Sequence, residues 1–240
     1  MVNRVRPLLS KLIDPSQAAF VPGRWIAENV VIAQEIVHNF KKTKKKHGSV
    51  GFKLDFNKAY DRLEWGFILA ILRVMGFGQK FIKLIYQCLS SMNDTLLLNG
   101  SKSCSFSPTR GIRQGDPLSP YLFILCNEVL VRIINWESSR GSIKGVKVSP
   151  KAPSISILFY ADDVLLFCGA KMVEVDVLMK SVEDFCSWSG LLLSKDKSGS
   201  FVSKRVHSQF VRQIKNQWSS KQLKKDSKYL GLPLFISANK

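Results

Sequence analysis

Across residues 24–42 the apolar positions Ile26, Val30, Ala33, Val37 and Phe40 recur in alternating steps of four and three, which predicts an amphipathic helix. A short apolar run at 49–56 predicts a strand that carries Asp55 near its end. Helical spacing returns over 63–75 and 79–92, divided by the turn Gly76-Phe77-Gly78. Residues 95–99 read as a strand, Asn99-Gly100 as a tight hairpin turn, and 104–106 as the returning strand. Ser119 predicts a helix cap with Pro120 at the first helical position and a helix running to Trp136. At 157–167, ILFYADDVLLF, two apolar runs flank a pair of acids, and a further helix is predicted over 173–188, closed by Gly190. This order predicts an α+β chain with antiparallel strands rather than a regular βαβ alternation.

The 240 residues suffice for one large domain or two small ones, and a hydrophobic share of 45% can build a core. No internal repeat and no Pro-rich or Ser-rich linker divides the chain. Charge narrows the partners: 36 Lys and Arg against 18 Asp and Glu give a net charge of +18, which attracts nucleic acid or an anionic membrane surface. No apolar run approaches the roughly 18 residues that a bilayer span needs, and residues 1–11 hold no secretory apolar region. The segment 41–46, KKTKKK, carries five lysines, and 195–240 carries 11 basic against 2 acidic residues, a net of +9. Each cluster reads as a solvated surface or as a nucleic-acid contact. Five scattered cysteines (Cys88, Cys104, Cys126, Cys168, Cys186) with no C-x-x-C pair predict a reducing compartment without a disulfide frame or zinc knuckle. Three scattered histidines argue against a His-based metal site.

Asp162 and Asp163 raise the chemical question. Aspartate is a poor strand former, a buried unpaired carboxylate is costly, and Asp-Asp lacks the glycine of a favoured two-residue turn. Two readings stand: an acidic hairpin turn, or a place for a positive charge. Asp55, at a strand end, gives the second reading a partner if its strand lies beside the hairpin. Carboxylates together with waters and substrate phosphates are the shell that Mg²⁺ prefers. Two such ions about 3.5–4 Å apart can activate a 3′-hydroxyl and stabilise departing pyrophosphate. On a strongly basic chain, that combination points to phosphoryl transfer on nucleic acid.

The residues also carry a family resemblance. FYADD (159–163) resembles motif C of reverse transcriptases, and LDFNKAYD (54–61) resembles their motif A. RGIRQGDPLSP (110–120) is similar to motif B of the retroelement branch that lacks long terminal repeats. AAFVPGR (18–24) matches the fingers, SGLLLSKDKS (189–198) motif D, and YLGLPL (229–234) motif E. These motifs stand in family order over most of residues 3–234. They resemble most the LINE-like retrotransposon polymerases abundant in plants, with group II intron reverse transcriptases more distant.

The resemblance implies a right-hand polymerase palm, an antiparallel sheet packed by helices, over 51–234, with partial fingers over 1–50, a tail at 235–240 and the thumb absent. It implies an RNA-directed DNA polymerase that uses two Mg²⁺ ions, with Mn²⁺ as a substitute. The implied partners are an RNA template, a DNA primer and deoxynucleoside triphosphates, with no membrane. The implied location is intracellular, the nucleus ahead of the cytoplasm. Asp55 and Asp162 would be the principal metal ligands, Asp163 the supporting acid, and Lys197 the motif D lysine that protonates pyrophosphate. Phe56 would lend a backbone group to the metal and triphosphate. Tyr60 would exclude the 2′-hydroxyl of a ribonucleotide, or is a core aromatic. Gln114 and Gly115, followed by Pro117, would form the loop beside the nascent base pair, with Arg110 and Arg113 on phosphates or on the free surface. Tyr229, Leu230 and Gly231 would form the primer grip. Asp61 and Glu64 are set aside as ligands, the first as a structural position and the second as a helix N-terminal charge.

The chain also departs from the family pattern. The family's fingers carry basic residues upstream of the segment FVPGR (20–24) that clasp a triphosphate; the expectation is that most of them fall outside this chain and that Arg24 is no obvious replacement. Ile157 stands where a histidine is frequent, and Lys195-Asp196-Lys197 replaces an asparagine-containing motif D. The expectation is therefore an excerpt of a retrotransposon protein that is weak or inactive by itself. The alternative is a non-catalytic relic that binds nucleic acid through its basic surface.

Overall fold

The computed structural model describes residues 1–42, 48–224 and 226–235. Most of the lysine run at 43–46, Lys225 and residues 236–240 lie outside the described residues. Short helices α1 (Val2–Val5) and α2 (Leu9–Leu12) lead to α3 (Ile26–Lys42), β1 (Ser49–Asp55), α4 (Ala59–Arg62), α5 (Trp65–Val74) and α6 (Gln79–Ser90). A hairpin of β2 (Asp94–Leu98) and β3 (Ser101–Phe106) precedes α7 (Ser119–Ser139). The acid-bearing hairpin β4 (Ile157–Tyr160) and β5 (Asp163–Gly169) is followed by α8 (Met172–Ser189), β6 (Gly199–Val202) and α9 (Ser208–Trp218). The described chain ends with β7 (Lys221–Gln222) and a small hairpin of β8 (Lys228–Tyr229) and β9 (Leu232–Pro233).

Five strands form one sheet in the order β4-β5-β1-β6-β7, antiparallel throughout except for the parallel pair β6–β7. Strand alternation gives the sheet two unlike faces. Val50, Phe52, Leu54, Val164, Leu166 and Cys168 point into the larger core, which α5, α7 and α8 close with residues such as Leu72, Phe123, Leu130 and Phe185. Leu165, Phe167 and Phe201 point the other way into a smaller core, covered by Ala33, Ile36, Val37 and Phe40 of α3 and by Tyr229 and Leu234. Burial of these large side chains, at about 25 cal/mol per Å² of apolar surface, is the main term holding the layers together. No helix among the described residues is long and apolar enough to cross a membrane.

The helix-periodic segments fold as their spacing predicts, with two differences of detail. The start of α7 is set by Leu118, whose N–H donates to the Asp116 carboxylate at 2.7 Å. Ser119 is buried and makes no capping bond, and the helix continues past Trp136 to Ser139. Asp116 thus fixes the turn that enters the helix and leaves the first helical turn without a side-chain cap. The α8 terminus agrees with expectation: Gly190 takes φ 78°, and its N–H bonds to the Cys186 carbonyl.

Candidate active site

β1 and β5 pair so that Asp55 lies directly opposite Asp163. Opposed residues share a face, and alternation puts Lys53 on that face too. Lys53 Nζ stands 3.3 Å from an Asp163 carboxylate oxygen, and Lys197 Nζ stands 3.8 Å from one of Asp55. Asp162 falls in the turn, Ala161-Asp162, that joins Tyr160 to Asp163, and it is exposed. The Asp55 carboxyl titrates above its usual 3.8, first because it is partly buried. Asp162 and Asp163 push it further up, while Lys197 and Lys53 pull it down. The three acids therefore feel one another at the end of the sheet, with two ammonium groups as counter-ions.

These oxygen donors suit a hard divalent cation, which needs one or two carboxylates and completes its shell with water and phosphate. Among the described residues, no three His, Cys, Asp or Glu side chains are gathered closely enough to form a ready-made metal cage. The arrangement is an open acidic edge rather than a closed protein site.

Tyr60, at the second position of α4, stacks on Phe123 of α7 with ring centroids 5.0 Å apart and planes 28° from parallel. Its hydroxyl is held above the usual phenol range by burial and by the nearby Asp162. The 110–115 loop is bound to this element through its backbone. Ile112 N–H donates to the Tyr60 carbonyl and Gly111 N–H to the Leu63 carbonyl, each at 2.8 Å, and the Trp65 indole donates to the Gly111 carbonyl at 2.6 Å. Gly111 is required there: φ is 87°, and a Cβ would lie 2.8 Å from the Asp61 carbonyl oxygen. Asp61 and Glu64 turn out to partner this loop. Gln114 Nε2 reaches the Asp61 carboxylate at 3.5 Å, and Arg110 reaches Glu64 at 3.4 Å. Arg113 reaches Asp94 at 3.8 Å, and Gly115 is exposed with φ 87°. A cleft of about 410 Å³ lies along Asp61, Asp94, Phe106 and residues 110–114.

Residues 1–234 match the reverse transcriptase (RNA-dependent DNA polymerase) family. The chain belongs to that family. It is 27% identical over 236 residues, 96% of its length, to the transposon TX1 uncharacterized 149 kDa protein of Xenopus laevis. It is 32% identical over 185 residues, 77% of its length, to the retrovirus-related Pol polyprotein from the type-2 retrotransposable element R2DM of Drosophila melanogaster. The chain spans 17% and 16% of those two relatives. An uncharacterized mitochondrial protein of Arabidopsis thaliana, AtMg01250, is 48% identical over 89 residues, covering 37% of this chain and 65% of that protein. Among solved structures, telomerase from Candida tropicalis in complex with a telomeric RNA fragment superposes with a TM-score of 0.60 at 12% identity, over 85% of this chain and 33% of that one. That likeness establishes the α+β palm fold.

Against this reverse transcriptase frame, the remaining expected residues divide. Lys197 is at the acids, exposed. Phe56 is buried, and it bridges Leu193 through bonds of its neighbours: Asn57 N–H to the Leu192 carbonyl and Ser194 N–H to the Asp55 carbonyl. Tyr229 departs from the expected primer contact: its side chain is 1% exposed and belongs to the smaller core. Burial pushes its hydroxyl above the phenol range, with Asp163 adding to the shift. At the tip of that hairpin Leu230 is half-buried against the smaller core and Gly231 is exposed, with φ 51° and 80°. Arg24 donates to the carbonyls of Ile13, Asp14 and Gln17, which commits its guanidinium to the backbone of its own segment.

Sequence reading missed Lys53 and the buried amides Gln17, Asn29 and Asn127. Strand alternation alone would have found Lys53, two residues before Asp55. Asn127 left a fainter signal, an amide inside the apolar run LFILCNEVLV.

Proposed function

We propose that this chain is the polymerase core of a reverse transcriptase from a LINE-like retrotransposon, extending a DNA primer on an RNA template with deoxynucleotides. The observation that carries the reading is the register that sets Asp55 opposite Asp163 beside the turn bearing Asp162. The retrotransposon relatives support the substrate class, and the stretch shared with the Arabidopsis protein supports a plant element. Asp55 and Asp162 would hold Mg²⁺, with Asp163 as the supporting acid. When bound, the metal supplies Lewis-acid activation of the primer hydroxyl and charge stabilisation for the leaving pyrophosphate. Lys53 neutralises Asp163, which keeps the acidic edge from repelling a polyanionic substrate. Lys197, beside Asp55, would give a proton to the leaving group. The turn at Leu230-Gly231 and the 110–115 loop would orient primer and template.

The test is primer extension on an RNA template with deoxynucleotides, with and without Mg²⁺. Metal-dependent extension supports the reading. Salt-sensitive binding to the template-primer without extension would replace it with the non-catalytic nucleic-acid-binding alternative, which the net charge of +18 favours.

Tyr60→Val is expected to relax sugar selection. If the ring closes the space at the 2′ position, removing it lifts a clash, so ribonucleotide use rises relative to deoxynucleotide use by about tenfold, or ~1.4 kcal/mol. The variant also loses the stack on Phe123, but the ring is half-buried and valine keeps some volume, so its stability cost stays well below the roughly 3–5 kcal/mol of truncating a fully buried aromatic to alanine. Single-nucleotide incorporation with both sugars checks this. An unchanged ratio in a folded, active variant would make Tyr60 a core aromatic only.

A further inference from the structure

The turn that carries Asp162 is held from below by two side-chain amides from distant parts of the chain. Asn127 lies in the middle of α7, fully buried, and its Nδ2 donates to the Ala161 carbonyl at 2.9 Å. Gln17 lies ahead of α3 and is 1% exposed. Its Oε1 accepts from Ala161 N–H at 3.3 Å and from Ala19 N–H at 2.9 Å. Both peptide groups of one residue are therefore taken by buried side chains. The preceding strand is fixed in the same way: Phe159 N–H donates to the Ser16 carbonyl at 2.8 Å, and the Phe159 carbonyl accepts from Ala18 N–H at 3.0 Å and from Asn29 Nδ2 at 2.8 Å.

Ala161 has φ 55°, a left-handed conformation that a residue with a Cβ adopts at a cost and keeps only when its surroundings impose it. The amides that impose it are themselves poorly suited to stability. Gln17 Nε2 and Asn127 Oδ1 are buried with no hydrogen-bond partner among the described residues. Apolar residues of the same shape would avoid that penalty. Unfavourable burial beside a strained turn is the pattern of a site shaped for function. We infer that Gln17 and Asn127 are positioning residues that clamp Ala161 and so aim the Asp162 carboxylate, an inference that rests on the polymerase reading above.

The experiment uses Asn127→Leu and Gln17→Met, each close in shape and unable to make the clamp. Native-state amide hydrogen exchange at residues 161–163, urea unfolding and steady-state primer extension are measured for wild type and both variants. The expected result is exchange at the turn faster by about tenfold or more, confined to residues 161–163, with a modest fall in the unfolding midpoint because the freed backbone groups lose their partners. In extension, kcat should fall by about tenfold or more while KM for the deoxynucleotide stays within about twofold. Exchange rising evenly across β4 and β5, with kcat falling only with the folded fraction, would overturn the inference. So would unchanged exchange at the turn in both variants. If one variant fails to fold, the other decides. Exchange requires no catalysis, so the two readings fail separately. A wild type that never extends a primer, together with variants that loosen the turn, supports the clamp and rejects the polymerase.

Discussion

Asp55→Asn is expected to abolish primer extension while leaving the fold at least as stable as wild type. The two effects have one cause. The carboxylate is partly buried and faces Asp162 and Asp163, so the folded chain disfavours its charge even with Lys53 and Lys197 nearby. Asparagine keeps the shape and removes the charge. Activity should fall by more than the ~10²–10³-fold that one lost electrostatic contact to a transition state costs, because the proposed metal ligand is lost as well. The stability effect has a defined sign with pH. A carboxyl whose folded pKa is raised contributes most below its unfolded value, here taken as 3.8, and loses that contribution as pH rises through the folded value. The advantage of Asp55→Asn over wild type should therefore be small in acid and grow as pH climbs above 3.8. Urea midpoints of both proteins across that range measure it. Added Mg²⁺ should reverse the order, since a ligand at about 100 times its Kd stabilises the protein that binds it by ~2.7 kcal/mol. A variant that keeps extension, or whose stability gap closes as pH rises, would remove Asp55 from the proposed site.

Affinity for a template-primer duplex should collapse with salt. Lys204, Arg212, Lys215, Lys224 and Lys228 are exposed along α9 and its flanks, within a segment of net charge +9. A protein that neutralises Z phosphates loses affinity with a slope of about −0.9Z in log K against log salt, and six to ten contacts cost roughly 10³–10⁵ in affinity between about 50 and 200 mM. Replacing Lys204, Arg212, Lys215 and Lys224 with glutamine should flatten the slope by about one for each cation that meets a phosphate, equally on unrelated sequences. A filter-binding series gives the slope directly. Affinity that does not change with salt would mean that these cations form an ordinary solvated surface.

Helices α3, α5, α6, α7 and α8 and both expected hairpins were legible because their signals are local, in apolar periodicity and turn residues. The acids were legible for the same reason, since Asp55 ends an apolar run and Asp162-Asp163 interrupts one. β6 was not. Its residues, GSFV, form a strand because the open edge of β1 receives them, with Phe201 filling the space over Gly51. Gly199 and Ser200 favour turns in isolation, so tertiary pairing overrides local preference. α9 was overlooked among basic residues, although Phe210, Ile214 and Trp218 recur every four positions. The burial of Tyr229 in the smaller core was not legible, because motif position does not reveal burial. The amide grip on Ala161 joins residues 144 and 34 positions away, and no spacing rule reaches that far.

The pairing of Asp55 with Asp163 also decides where the chain can change length. One residue inserted into or deleted from β1 shifts its alternation by a single step, sending Asp55 toward the larger core and an apolar neighbour onto the acidic edge. The same holds for β5, whose interior residues are buried on both sides. The β2–β3 hairpin is under no such constraint: nearly every residue in it is exposed. Its tip at Asn99-Gly100 can lengthen at the slow cost of loop closure, about 0.6 kcal/mol for each doubling. Among copies of such an element, in-frame insertions and deletions should accumulate at that tip and be purged from the two acid-bearing strands.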